Sequence, residues 1–260
     1  MRQAFSTRRK QRNLPALALA ALLATASFAV AGPIIPTPYF GGYTALVDGA
    51  TVMSGAIGVT GSGELYFGGP YSTVTPDRLA TLTFTDISGQ ADPALNFGVG
   101  AANLSDVSRT FQFVFSIPIA LEGTVVAHSA LGYTLTASRD GAEVAPFSAT
   151  MLTAADSDTT TGGLGDLNKG VDIGSGLSFV GGPGLRHSEL FVASSTFIGD
   201  PAYDSMMVNV GFTLSPYSEI NMVGFVEQAT YADPVPEPAT LLLLGTGLLG
   251  IAARQRKPRG

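Results

Sequence analysis

The chain has 260 residues, of which 45% are hydrophobic and only 13% charged, with 32 glycines and no cysteine. The lack of cysteine excludes disulfides, thiolate metal sites, iron–sulfur clusters and cysteine nucleophiles. Nine of the fourteen basic residues sit in two terminal clusters, so the long middle segment carries about −15, a charge that disfavours nucleic acid and anionic lipid as partners.

The N-terminus has the three parts of a secretory signal, and residues 1–31 are predicted to be one, with a helical apolar region. Arg8-Arg9-Lys10-Gln11-Arg12 is the positive region, and Leu14 to Val30 is an Ala/Leu stretch. Ala29 and Ala31 place small residues at −3 and −1 of a signal-peptidase site, with Gly32 next. The Ala-rich composition and the cleavage site set this segment apart from an uncleaved anchor. The residues around the arginine pair favour the general secretion machinery over the twin-arginine route.

Residues 32–232 read as one all-β ectodomain, a β-sandwich of jelly-roll type. In Leu79 to Thr85, Leu82 and Phe84 point to one face while Leu79, Thr81, Thr83 and Thr85 point to the other. Similar Val-, Phe-, Thr- and Tyr-rich runs cover Phe111 to Ile117, Gly132 to Ala137, Glu189 to Ile198, Met206 to Leu214 and Ile220 to Gln228. Phe84, Phe113, Phe115, Tyr133, Phe191, Phe212 and Phe225 fall in these runs and are predicted to be buried. Turns are expected at Gly68-Gly69-Pro70, Ser88-Gly89-Gln90 and Gly181-Gly182-Pro183-Gly184. Arg139-Asp140-Gly141-Ala142 reads as a tight hairpin. Gly98-Val99-Gly100 and Gly174-Ser175-Gly176 read as turns or strand bends, and Ala154 to Gly165 as a long loop or internal boundary. Short strands parted by turn signals, with no fixed-period repeat, argue for a sandwich over a solenoid.

Chemistry is sparse in this body. His128 and His187 each precede a serine, yet no Gly-x-Ser-x-Gly elbow and no His-Glu-x-x-His pairing accompanies them; both are expected at the surface. Asp156, Asp158, Asp166 and Asn168 flank a Gly-rich stretch and are the candidate calcium ligands, because calcium takes several hard oxygen ligands. Their spacing is not that of an EF-hand. Asn103-Leu104-Ser105 fits a glycosylation acceptor as a bare pattern. A glycosidase needs two carboxylates across a cleft, and no pair among the twenty acids stands out in the sequence. No cofactor other than calcium is expected.

The C-terminal segment has its own order. Residues 233–238 form a linker ending in Pro236-Glu237-Pro238, and Ala239 to Ala253 is an uncharged Leu/Gly-rich run. Residues 254–260 are a basic tail with Arg254, Arg256, Lys257 and Arg259. As a transmembrane helix, residues 239–253 would rise about 22 Å, short of the roughly 30 Å hydrocarbon core. The arginines can snorkel to extend that reach, and their charge acts as a stop-transfer signal that keeps the tail cytoplasmic. Pro236 and Pro238 favour an extended backbone outside the bilayer.

This order and spacing resemble the PEP-CTERM sorting signal of Gram-negative bacteria that make extracellular polysaccharide. The resemblance implies recognition of Pro236-Glu237-Pro238 by exosortase, a membrane protease-transferase. It also implies an exported protein, anchored transiently by the C-terminal helix and destined for the cell envelope or an extracellular matrix. Many proteins with this signal are exported domains without known activity. Two functions follow. One is a non-catalytic surface or matrix protein, associated with exopolysaccharide or biofilm. The other is an extracellular glycan-acting hydrolase or carbohydrate-binding module. Signal-peptidase cleavage after Ala31 makes Gly32 the first residue of the mature chain, which N-terminal sequencing of exported material checks. A mature protein that keeps Leu14 to Val30 overturns it.

Overall fold

In the computed structural model, residues 41–91, 93–157, 171–200 and 203–230 are described. The signal and transmembrane helices predicted for the two termini lie outside them. The alternating runs become strands, and no helix occurs among the described residues. In chain order the strands are β1 (Gly41–Val47), β2 (Ala50–Val59), β3 (Glu64–Tyr66), β4 (Tyr71–Val74), β5 (Ala80–Gln90), β6 (Ala94–Asn103) and β7 (Arg109–Pro118). They continue with β8 (Gly123–Ala137), β9 (Ala142–Pro146), β10 (Leu152–Ser157), β11 (Leu177–Phe179), β12 (Arg186–Gly199), β13 (Ser205–Leu214) and β14 (Ser218–Thr230).

All pair antiparallel in one curled sheet, ordered β11-β9-β13-β7-β1-β2-β3-β5-β6-β14-β8-β12, with β10 on β13 and β4 on β5. The curl is made at β2. Its residues Ala50 to Ile57 pair with β1, while Gly58 and Val59 pair with β3. One strand thereby serves both halves of the sheet, and the halves face each other across a core of rings. Phe84 of β5 meets Tyr43 of β1 at 4.7 Å and Phe113 and Phe115 of β7 at 5.3 and 5.9 Å, all edge to face. Phe97 of β6 stacks on Phe115 at 5.0 Å.

Rings and glycines are also matched across the ladders. Tyr43 lies opposite Gly55, Tyr66 opposite Gly58, and Phe97 opposite Gly224. In each pair a Cβ on the glycine would collide with the ring. The ring covers the backbone that the glycine exposes, and so offsets the weakness of glycine within a strand.

Several turns differ from the sequence reading. Ser88-Gly89-Gln90 is the end of β5, paired with β6, and the chain reverses between Gln90 and Ala94 instead. Gly89 has φ +143, and the carbonyl of Ala94 crowds the position its Cβ would take, so glycine is required without a reversal. Arg139-Asp140-Gly141 does not join a hairpin. β8 pairs with β12 and β14, and β9 pairs with β11 and β13, so the segment carries the chain from one half of the sheet to the other. It is fixed from outside, by a Ser138 N–H donated to the Tyr217 carbonyl and by the Arg139 guanidinium 3.4 Å from the Tyr217 ring centre. The Asp-Gly hairpin lies elsewhere: Asp48 and Gly49, with φ 50 and 79, join β1 to β2 as a two-residue loop. Gly98 and Gly100 belong to β6. Gly98 faces an irregularity of β5 between Phe84 and Asp86, where the Thr85 hydroxyl fills the space of a side chain. Gly68 to Pro70 and Gly181 to Gly184 do connect strands as expected.

Five of the seven rings predicted to be buried are so, namely Phe84, Phe113, Phe115, Tyr133 and Phe212. Phe191 and Phe225 are half-buried. Phe191 sits on β12, where its ring lies 6.0 Å from that of Tyr133 on the neighbouring β8. Phe225 faces outward, because its neighbours Gly224 and Val226 hold the inward positions of β14. Phe84→Ala removes the ring that touches both halves and should cost about 3–5 kcal/mol. Denaturant unfolding of the mature protein measures this, and a loss below about 1 kcal/mol contradicts the role given to Phe84.

Candidate functional site

The residues singled out from sequence do not converge. Asp156 is not in a loop. It lies in β10, 2% exposed and pointing inward, and its Oδ1 accepts a hydrogen bond of 3.0 Å from Nε2 of Gln228 on β14. A buried carboxylate needs such a donor, and this tie joins the two halves of the sheet. Asp158, Asp166 and Asn168 lie outside the described residues. Among the described residues no cluster of three or more His, Asp or Glu side chains could hold a metal ion. Asp172 accepts the Ala154 N–H at 3.3 Å, and partial burial pushes its carboxyl above the usual carboxylate range.

His128 and His187 are both exposed. The ladder register sets His128 of β8 directly between Ser194 of β12 and Glu227 of β14. Sequence reasoning misses this row, because the three positions meet only through strand pairing. Among the described residues no hydrogen bond joins the three. His187 instead packs its ring 4.6 Å from Phe179. The Tyr133 hydroxyl donates to the Ser175 carbonyl at 3.0 Å, and burial, with the Glu189 charge second, pushes its pKa up to about 12.

Asn103 is wholly buried, which withdraws it as a glycan acceptor. Its Nδ2 donates to the carbonyls of Val107 and Leu214 at 2.8 and 3.0 Å, while its Oδ1 accepts from the N–H and hydroxyl of Ser105. Near it, Arg109 ties two turns together. It bonds to Asp77 and lies 3.6 Å from Asp48, whose other oxygen accepts the Thr110 N–H. Asp77 also accepts from the Thr75 hydroxyl and the Leu79 N–H. The Thr75 bond first, then Leu79 and Arg109, holds the Asp77 carboxyl at about 2. These polar groups close one end of the sheet and bind one another, which is structural work.

The architecture is an antiparallel β body, followed by residues 231–260 outside the described set. That last segment is where recognition falls. The chain carries a PEP-CTERM protein-sorting motif at residues 234–257. The motif implies an exosortase-sorted, exported protein of the cell envelope. Pro236, Glu237, Pro238, Arg254, Arg256 and Lys257 lie within it, while Arg259 falls beyond it. These residues and the signal-cleavage residues Ala29, Ala31 and Gly32 lie outside the described residues. No curated protein matches the chain. Among solved structures it is similar to TmCBM61 in complex with beta-1,4-galactotriose, at 13% identity and TM-score 0.24, over 64% of this chain and 90% of that one. It is also similar to the enzymatically active domain of bacteriophage CBA120 tailspike protein 4, at 10% identity and TM-score 0.24, over 61% of this chain and 19% of that one. Likeness at these scores carries no argument about function.

The depressed Asp77 carboxyl contributes stability that is present above its unfolded value of 3.8 and lost as pH falls through about 2. Asp77→Asn should therefore flatten the loss of stability over that interval. Thermal melts of both proteins across it test this, and parallel acid profiles refute it.

Proposed function

We propose that the protein is a non-catalytic surface or extracellular-matrix component, whose β ectodomain is delivered by its sorting tail to an exopolysaccharide or biofilm layer. The sorting motif at residues 234–257 carries this reading. Support comes from the body. Its rings and buried polar groups serve cohesion, and its acidic charge keeps copies soluble. We read the curled sheet as a jelly-roll sandwich. Secretion machinery and signal peptidase act at the N-terminus and exosortase at the C-terminus, and extracellular polysaccharide is the expected partner outside.

In this scheme the uncharged run Ala239 to Ala253 holds the precursor in the membrane. The basic residues Arg254 to Arg259 fix its orientation and keep Glu237 at the outer surface. Exosortase recognises Pro236-Glu237-Pro238 and cuts nearby, freeing the ectodomain. Replacing all three residues with alanine should leave a membrane-held precursor that keeps its basic tail. Fractionation of the native host with mass spectrometry of the C-terminus reads this. Release of the triple variant at the parent's level sinks the sorting role of the triplet.

A further inference from the structure

β13, β7, β1 and β2 lie side by side, and Arg109 is the sole charged residue on them. It is taken up by Asp48 and Asp77 at one end of the sheet. The outer face of these strands is therefore uncharged, in a middle segment that carries about −15. Small side chains leave a shallow groove on it, of about 380 Å³, lined by Gly42, Thr44, Ser54, Ala56, Val114 and Ser116. Thr44 and Ser54, paired across β1 and β2, each offer a hydroxyl that no hydrogen bond holds among the described residues. Rings stand at opposite corners of the face. Tyr66 of β3 is 55% exposed, and its ring lies over Gly58, the next outward position of β2 beyond Ala56. One face of the ring thus rests on backbone, and the other is turned to solvent beside the groove. At the far corner Phe147, 53% exposed, stands against Gly211 of β13. Between them Asn209, opposite Val114, has an Oδ1 shut off from solvent without a hydrogen-bond partner, a group that gains by turning to an outside donor.

These groups select a class of ligand. A charged chain would give up its water on a face that holds no counter-ion. A purely apolar ligand would leave the two hydroxyls and the amide without partners. A sugar ring meets both demands. Its C–H groups, slightly positive, suit the negative face of an aromatic ring, and its hydroxyls match Thr44, Ser54 and Asn209. The groove crosses β2, β1 and β7, about 10 Å at the usual strand spacing. An extended chain laid across these strands touches the floor and the Tyr66 ring together.

We infer that the outer face of β13, β7, β1 and β2, together with the Tyr66 ring, is a binding site for an uncharged polysaccharide chain. The inference rests on the reading that the ectodomain is delivered to an exopolysaccharide layer, and it gives that partner a place on the fold. The probe is the neutral fraction of the host's extracellular polysaccharide, freed of protein and cast into a native gel. Migration of the exported mature protein is compared with that in a gel without polysaccharide. The parent should be slowed. Tyr66→Ala should weaken binding about tenfold, the loss of one stacked ring, and Tyr66→Phe should keep it. Ser54→Glu puts a charge in the groove and should abolish it, while Val223→Ala, on the outer face of the other half, should match the parent. Ser54 is exposed, so its variant decides the matter if Tyr66→Ala lowers the melting temperature. Unchanged binding by both Tyr66→Ala and Ser54→Glu overturns the site and leaves the proposed destination standing. A parent that is not slowed also overturns the site, and the destination falls with it only if fractionation finds the protein away from the polysaccharide. Self-association of the parent without polysaccharide, lost in Ser54→Glu, makes a second copy the occupant and overturns the inference as well.

Discussion

Where the two halves of this sheet face each other, one ring meets more rings of the opposite half than any other described. Phe84, fully buried on β5, lies edge to face against Tyr43, Phe113 and Phe115 of the opposite half, and against Phe67 at 6.2 Å on its own side. Edge-to-face packing sets the positive rim of one ring on the negative face of another, and adds about 0.5–1.5 kcal/mol per pair to the gain from burial. With no disulfide or helix among the described residues to hold the layers, these contacts set the spacing to which the curl at β2 must conform.

The glycine content has a matching explanation. Three glycines on strands sit directly beneath cross-strand rings, and Gly98 makes room for the Thr85 hydroxyl at the irregularity of β5. Large rings on one strand and bare backbone on the next let neighbours curve without a gap. At the end closed by Asn103 and Arg109, polar side chains perform the same service for loop carbonyls and N–H groups that no strand partner reaches.

Period-two alternation makes much of the body legible in the sequence, because inward and outward faces follow from the chain alone. Leu82, Phe84, Phe113, Phe115 and Phe212 are where it places them. Sequence and fold part company where distant residues decide. Ser88-Gly89-Gln90 and Arg139-Asp140-Gly141 carry the composition of turns, yet the first is required by the approach of Ala94 and the second by a jump between halves. The true hairpin at Asp48-Gly49 carries the same Asp-Gly signal, so composition by itself does not separate the two sites. Asp156 resembles a solvated ligand in sequence, while the facing Gln228, 72 residues away, draws it into the core. The row of Ser194, His128 and Glu227 is likewise created by register alone. The sorting tail is fully legible, since its meaning lies in local order and spacing and needs no tertiary contact.

The placement of β14 has a mechanical consequence. It is the last described strand, and the chain passes from Thr230 directly toward the sorting tail. β14 is flanked by β6 and β8 along nearly its whole length, about 40 Å at the usual rise per residue. Tension transmitted through the tail would pull this strand along its own axis. It would load two ladders of hydrogen bonds in shear, all at once, where a tether on an edge strand would open them one at a time like a zip. Whatever holds the tail, a pull on it would meet both ladders at the point where the tail joins the fold.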